Sequence, residues 1–209
     1  LGLFQSDEEA AAWPRFKGTQ PTAGDVKYAD LNNDGIMDER DKKVVSPYSN
    51  TPEIMFGLNL SASWKGFDFS ALFQGAANRN VMLSGFATQM FINGASNLPK
   101  YLYEDHWTPD NRDARYPKAW GPDHPSNNKS STFWLINGNY VRLKNVELGY
   151  SISKDLLSRV GVDRLRIYVG GSNLFSIDHM PGYDPEKQDG GPNYYPQQRV
   201  FNMGVNITF

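Results

Sequence analysis

Five stretches of this chain alternate between apolar and small or polar residues, and the sequence between them does not. In residues 199–209 the side chains of Phe201, Met203, Val205, Ile207 and Phe209 fall on one face. Asn202, Gly204, Asn206 and Thr208 fall on the other, because strand side chains alternate with period two. Residues 53–64 repeat the pattern, with Ile54, Phe56, Leu58, Leu60, Ala62 and Trp64 against Met55, Gly57, Asn59, Ser61 and Ser63. Lys65-Gly66 then supplies a tight turn, and Phe67, Phe69, Ala71 and Phe73 begin a second stripe opposite Asp68, Ser70 and Gln74, with Leu72 as an exception. This predicts a hairpin.

A third strand is predicted over residues 139–152. Val141 and Leu143 start on one phase and Val146, Leu148, Tyr150 and Ile152 finish on the other, which places a β-bulge near Asn145. A fourth, over residues 164–175, sets Leu165, Ile167 and Val169 against Arg166, Tyr168 and Ser172; Gly170-Gly171 inside it permits close packing. The link between these two strands holds one helical turn at 154–158, and residues 1–4 read as the stub of an earlier strand.

The connections alternate in length. Short ones lie at 65–66 and 153–163, long Pro/Gly/Asn-rich ones at 5–52, 78–134 and 176–198. Compact soluble domains seldom carry such long connections. Transmembrane barrels do so systematically, with short turns on the periplasmic side and long loops outside. With Phe209 at the periplasmic end, all three long loops emerge on the external face. The competing architecture is a water-soluble β-sandwich with decorated loops. No run is long enough for a transmembrane helix, and the opening residues do not read as a signal peptide. Barrel strands need neither, since they satisfy their backbone groups between strands.

The 209 residues carry 21 basic and 23 acidic side chains, a formal net charge of -2. No basic stripe is available for phosphates, so a nucleic-acid partner is not expected. Cysteine is absent, which excludes disulfides, thiolate metal sites and a cysteine nucleophile.

The sharpest local motif is acidic. Asp30, Asn32, Asp34, Ile36, Asp38 and Asp41 fall at positions one, three, five, seven, nine and twelve of a calcium-type loop, with Gly35 at six for the sharp turn. Asp30, Asn32 and Asp34 would donate side-chain oxygens, Ile36 its carbonyl, and Asp38 would act through water. Asp41 stands where a Glu is usual, and its arm is shorter. Calcium here would stiffen an exposed loop. A paired-helix EF-hand is not expected, because Pro21, Gly24 and Pro47 crowd the flanks, and an ion-free Asx-rich turn is the competing reading. His106, His124 and His179 sit in loops without ligand spacing, and no serine elbow, P-loop or dinucleotide fingerprint occurs, so no catalytic residue and no enzyme activity is expected. Trp107, Tyr116, Trp120, Phe133 and Trp134 cluster in one long connection, with interior packing expected for Trp107 and Trp120. Tyr183, Tyr194 and Tyr195 in another are weak candidates for contact with substrate or partner. Trp64 and Phe67 fit an interfacial aromatic girdle.

Together the segments GDVKYADLNNDG (24–35), DHWTPDN (105–111), YVRLKNVELGY (140–150), LRIYVGGSNLF (165–175) and NMGVNITF (202–209) resemble the C-terminal part of a SusC/RagA-type TonB-linked outer-membrane transporter. The resemblance covers nearly the whole chain. It implies an all-β fold: the last strands of an antiparallel transmembrane barrel of about 22 strands with long extracellular loops. Residues 1–209 would supply five or six of these strands, making the chain a fragment without the plug domain and the TonB-contacting segment. The implied function is import of glycans or peptides, energised by TonB, with a SusD-like surface lipoprotein as lid and outer-membrane lipid around the wall. Asp68, Arg166, Tyr168, Asn202 and Asn206 would then face the hydrated interior, and Asp30, Asn32, Asp34, Asp38 and Asp41 would form an outward structural metal site. Two other readings remain: a secreted, calcium-stabilised carbohydrate-binding β-sandwich, and an adhesive barrel that does not transport.

Overall fold

A computed structural model describes residues 1–91, 98–120, 126–157, 161–187, 195 and 197–209. Nine strands and three short α-helices run in the order α1 (Asp7–Ala12), β1 (Arg15–Phe16), β2 (Ile36–Met37), β3 (Ile54–Trp64), β4 (Phe67–Ala77), β5 (Asn80–Met82), α2 (Lys100–Glu104), β6 (Leu135–Asn137), β7 (Tyr140–Ser151), α3 (Lys154–Leu157), β8 (Arg164–Asp178) and β9 (Val200–Thr208) among the described residues. The five long strands form one antiparallel sheet in the order β3-β4-β7-β8-β9.

The chain divides into two compact units. One comprises Asn50–Asn80, Asn137–Lys187 and Tyr194–Phe209, and contains this sheet. Its first hairpin turns on Lys65 and Gly66, both at positive φ (47° and 87°), the backbone of a type I′ turn. A side chain at Gly66 would also press to 2.8 Å from the carbonyl oxygen of Ser151. The expected bulge is present. Phe73 pairs with Leu143 and Leu72 with Asn145, so Lys144 is the extra residue of β7. Opposite it, Asn173 and Leu174 lie between the paired Ser172 and Phe175. The bulge keeps the two phases of β7 on one face, because Val141 and Leu143 before it join the rows of Val146, Leu148 and Tyr150 after it.

Among the described residues, the other unit lies within Leu1–Ser49 and Val81–Ile136. Leu3, Val26, Trp107 and Ala114 form its core cluster, with Ala23, Tyr28 and Phe133 packed against them. Residues 1–4 are therefore not a strand of the large sheet. Leu3 bridges Val26 antiparallel, and Phe4 is buried, because both are apolar and a core lies within reach. A polar knot joins segments about a hundred residues apart. Asn127 Nδ2 donates to Asp25 Oδ1 at 2.9 Å, its Oδ1 accepts from Val26 N at 2.8 Å, and its carbonyl accepts from Trp134 Nε1 at 2.7 Å. Asp25 and Asn127 are almost fully enclosed, so these bonds offset a desolvation cost that either group alone would carry. Gly24 lies flat beneath Trp107, and with φ of 83° it suits no other residue. Helix α1 is held by Ser6, whose hydroxyl accepts from Glu9 N, while Glu9 Oε2 accepts from Gln5 N at 2.7 Å.

Candidate functional site

Register decides what each face of the large sheet can do. One row runs Trp64–Phe67–Tyr150–Ile167–Val205, the next Ala62–Phe69–Leu148–Val169–Met203, and a third Leu58–Phe73–Leu143–Phe175. Every side chain in these rows is apolar or aromatic, and most stay exposed: Trp64 at 69%, Val205 at 55% and Met203 at 85%. A stripe this broad is far beyond the scattered apolar residues of an ordinary soluble surface. Strand β3 spans eleven residues. At ~3.3 Å per residue and a tilt of ~40°, ten steps cover about 25 Å in height, the thickness of an outer-membrane apolar band. At the short-turn end Trp64, Phe67 and Tyr150 gather, with the Phe67 and Tyr150 rings 4.7 Å apart, as an interfacial girdle requires.

The opposite face is polar. Its rows run Ser63–Asp68–Gly149–Tyr168–Gly204 and Ser61–Ser70–Glu147–Gly170–Asn202, with Arg166 paired to Asn206. All five residues read from the sequence as interior-facing, Asp68, Arg166, Tyr168, Asn202 and Asn206, share this face. Arg166 ties three strands together: its Nε donates to Asp68 Oδ2 at 2.9 Å and its Nη2 to Glu147 Oε1 at 2.6 Å. The alternating glycines matter here. Arg166 lies over Gly149, Asn202 over Gly170 and Tyr168 over Gly204, so the long side chains lie down on the sheet and leave a low polar wall.

The acidic loop has the turn its spacing demands. Asn33 and Gly35 take positive φ, 58° and 81°. Asp30 Oδ2 accepts from Gly35 N at 2.9 Å, Asn32 Oδ1 from Asp34 N at 3.0 Å, and Asp34 Oδ1 from Ile36 N at 3.0 Å. The other carboxylate oxygen of Asp30 is buried and without a hydrogen-bond partner. Asp41 closes the loop, accepting from Leu31 N at 2.8 Å and Asp38 N at 2.9 Å. Arg40 supplies the local positive charge: its Nη2 lies 2.7 Å from Asp38 Oδ2 and 2.8 Å from Asp34 Oδ2. Its guanidinium holds the Asp38 carboxyl below the usual range, and the backbone N–H of Asp38 does the same for Asp41. The donor types and the orphaned Asp30 oxygen fit a hard cation. Among the described residues, however, no three acidic or histidine side chains already converge on one point.

The expected contact tyrosines divide. Tyr195 is exposed at 80% and its hydroxyl accepts from Gln198 Nε2 at 2.6 Å. Tyr183 is half-buried, and Tyr194, like His124, lies outside the described residues. Trp107, Tyr116, Trp120 and Trp134 are buried, so the aromatics of that connection build a core rather than a binding platform.

No family model matches the chain. It is 31% identical over 222 residues to TonB-dependent receptor P26 of Formosa agariphila, covering all of this chain and 22% of that protein. To TonB-dependent receptor SusC of Bacteroides thetaiotaomicron it is 24% identical over 185 residues, which cover 87% of this chain and 17% of that one. In structure it is similar to the RagAB peptide transporter, with TM-score 0.57 and 28% identity over 78% of this chain and 18% of that one. The 'closed-closed' state of the RagAB peptide importer matches the fold of the whole chain at TM-score 0.63, with 23% identity and 22% of that chain covered. The chain thus spans about a fifth of the length of the proteins it matches.

Proposed function

We propose, for a chain related along its whole length to TonB-dependent receptors of the SusC/RagA type, that it forms one side of the wall of an outer-membrane importer. Hydrocarbon meets the apolar rows of β3, β4, β7, β8 and β9. Water and the moving substrate meet the rows of Asp68, Arg166, Tyr168, Asn202 and Asn206. One observation carries the reading: an apolar face continuous across five strands and left uncovered, with a polar face behind it. A self-contained sugar-binding sandwich would bury that face, so it is the weaker alternative.

The work of such a wall is binding and gated passage, without a covalent step. Its substrates are glycans or peptides, its energy comes from a TonB complex, and a SusD-like lipoprotein closes it from outside. The similarity to a peptide transporter supports the substrate class and the paired lid. The long connections face outward, with Tyr183, Tyr194 and Tyr195 as contacts for substrate or lid. The acidic loop takes calcium through Asp30, Asn32, Asp34, the Ile36 carbonyl and Asp38, with Asp41 bracing it, and the ion supplants Arg40 as the loop's positive charge.

The test is uptake by cells that express the full-length receptor, compared with cells lacking it and with cells lacking TonB. Growth on one oligosaccharide or peptide mixture should fall at least tenfold in both deletions. Equal growth in all three, across both nutrient classes, would overturn the importer reading.

A further inference from the structure

The connection between β8 and β9 does not simply leave the sheet. Within the unit that holds the sheet, residues 184–187 are fastened back onto it by three cations. Arg142 grips Asp184 with both nitrogens, Nη2 to Oδ1 at 2.8 Å and Nη1 to Oδ2 at 3.2 Å, and both side chains are more than nine-tenths buried. Arg142 Nη1 and Lys144 Nζ share Glu186 Oε1, at 3.1 and 2.9 Å. Arg79, also enclosed, donates to the carbonyl oxygens of Pro185 at 2.7 Å and Lys187 at 2.6 Å. From the approach to β9, Gln197 accepts from Arg142 and donates to Glu186.

The side of attachment follows from register. Arg142 pairs with Gln74 and Ser176, a row of the polar face, between the apolar rows of Leu143 and Val141. Lys144 is the bulge residue, and the bulge lets it reach the carboxylate that Arg142 also binds. We infer that residues 180–187 form a fixed strap across the water-facing wall, latched by the Arg142–Asp184 pair. The strap makes the upper wall a standing constriction of the passage rather than a swinging lid. The inference rests on the wall reading above for which side carries water. Its fixity follows from the contacts themselves: lifting the strap breaks the two-pronged Arg142–Asp184 pair together with the bonds to Glu186, Pro185 and Lys187, and that geometry resists partial opening.

Hydrogen exchange on the full-length receptor in lipid nanodiscs tests this without any transport measurement. The amides of Gly182, Glu186 and Lys187 are hydrogen-bonded within the strap and report on it. They should exchange slowly and with a single mass envelope in the native protein. Arg142→Gln should accelerate them at least tenfold, and the charge swap of Arg142→Asp with Asp184→Arg should bring them back to within about threefold. The β9 peptide, residues 200–208, must stay protected in every variant, which separates a released strap from a misfolded sheet. Native strap amides that exchange as fast as that of exposed Tyr195, no change in Arg142→Gln, or two mass envelopes that reveal opening would each overturn the inference. A protected strap in a receptor that imports nothing would count against the importer reading alone.

Discussion

At the scale of single residues, the acidic loop shows how one side chain can stand in for an ion. Arg40 neutralises Asp34 and Asp38, so the loop keeps its turn with protein charge alone. A calcium ion must compete with that guanidinium. Calcium titration of the full-length protein should therefore give tighter binding for Arg40→Ala than for the native chain, and at least tenfold weaker binding for Asp34→Ala. Equal affinities in all three would remove the site. The pH dependence has a definite sign. Asp38 and Asp41 titrate below the ordinary carboxylate value of about 3.9. Their contribution to the folded loop is thus complete above that value and is lost as pH falls through the lowered ones. NMR of the loop amides on acidification should show the turn intact at pH 5 and opening only below about pH 4. The motif was legible in the sequence because turn geometry and oxygen spacing are local. The role of Arg40 was not, since the pattern assigns no function to a residue between ligands. The Ser6 cap of α1, whose hydroxyl accepts from Glu9 N, was equally local but was hidden by the Pro- and Gly-rich context around it.

At the scale of elements, strands were legible because alternation is strong and side chains decide faces. The hairpin at Lys65-Gly66, the bulge beside Asn145 and the helical turn at Lys154–Leu157 all lie where the sequence places them. The segment 1–4 was misread because two apolar residues in a short run carry no period, and tertiary contact with Val26 decides their fate. Faces also set the cost of a charge. Leu60 stands on the exposed apolar face near mid-strand and Asn202 on the polar one. In a lipid-refolding titration, Leu60→Arg should destabilise the full-length receptor by about 2–4 kcal/mol, the cost of an arginine near the bilayer centre. Asn202→Arg should change stability by less than about 1 kcal/mol, as for ordinary surface substitutions. Similar losses at both positions would mean that the two faces see one environment.

At the scale of the whole molecule, long connections that read as separate loops contribute to one core. Residues 5–49 and 81–136 share the Asp25–Asn127 knot and the packing of Trp107 on Gly24, contacts between parts of the chain far apart in sequence that no local pattern reveals. The inward fastening of 184–187 was invisible for the same reason. What alternation did carry is the division of the sheet into an oily side and a wet side, on which the transport reading stands. The most direct test is a spin-label scan of single cysteines from 201 to 208 in the full-length receptor reconstituted in lipid. Labels at 201, 203, 205 and 207 should be accessible to dissolved oxygen, and those at 202, 204, 206 and 208 to a water-soluble nickel chelate or shielded from both. Odd-numbered positions closed to oxygen, as in the packed interior of a soluble protein, would contradict the account.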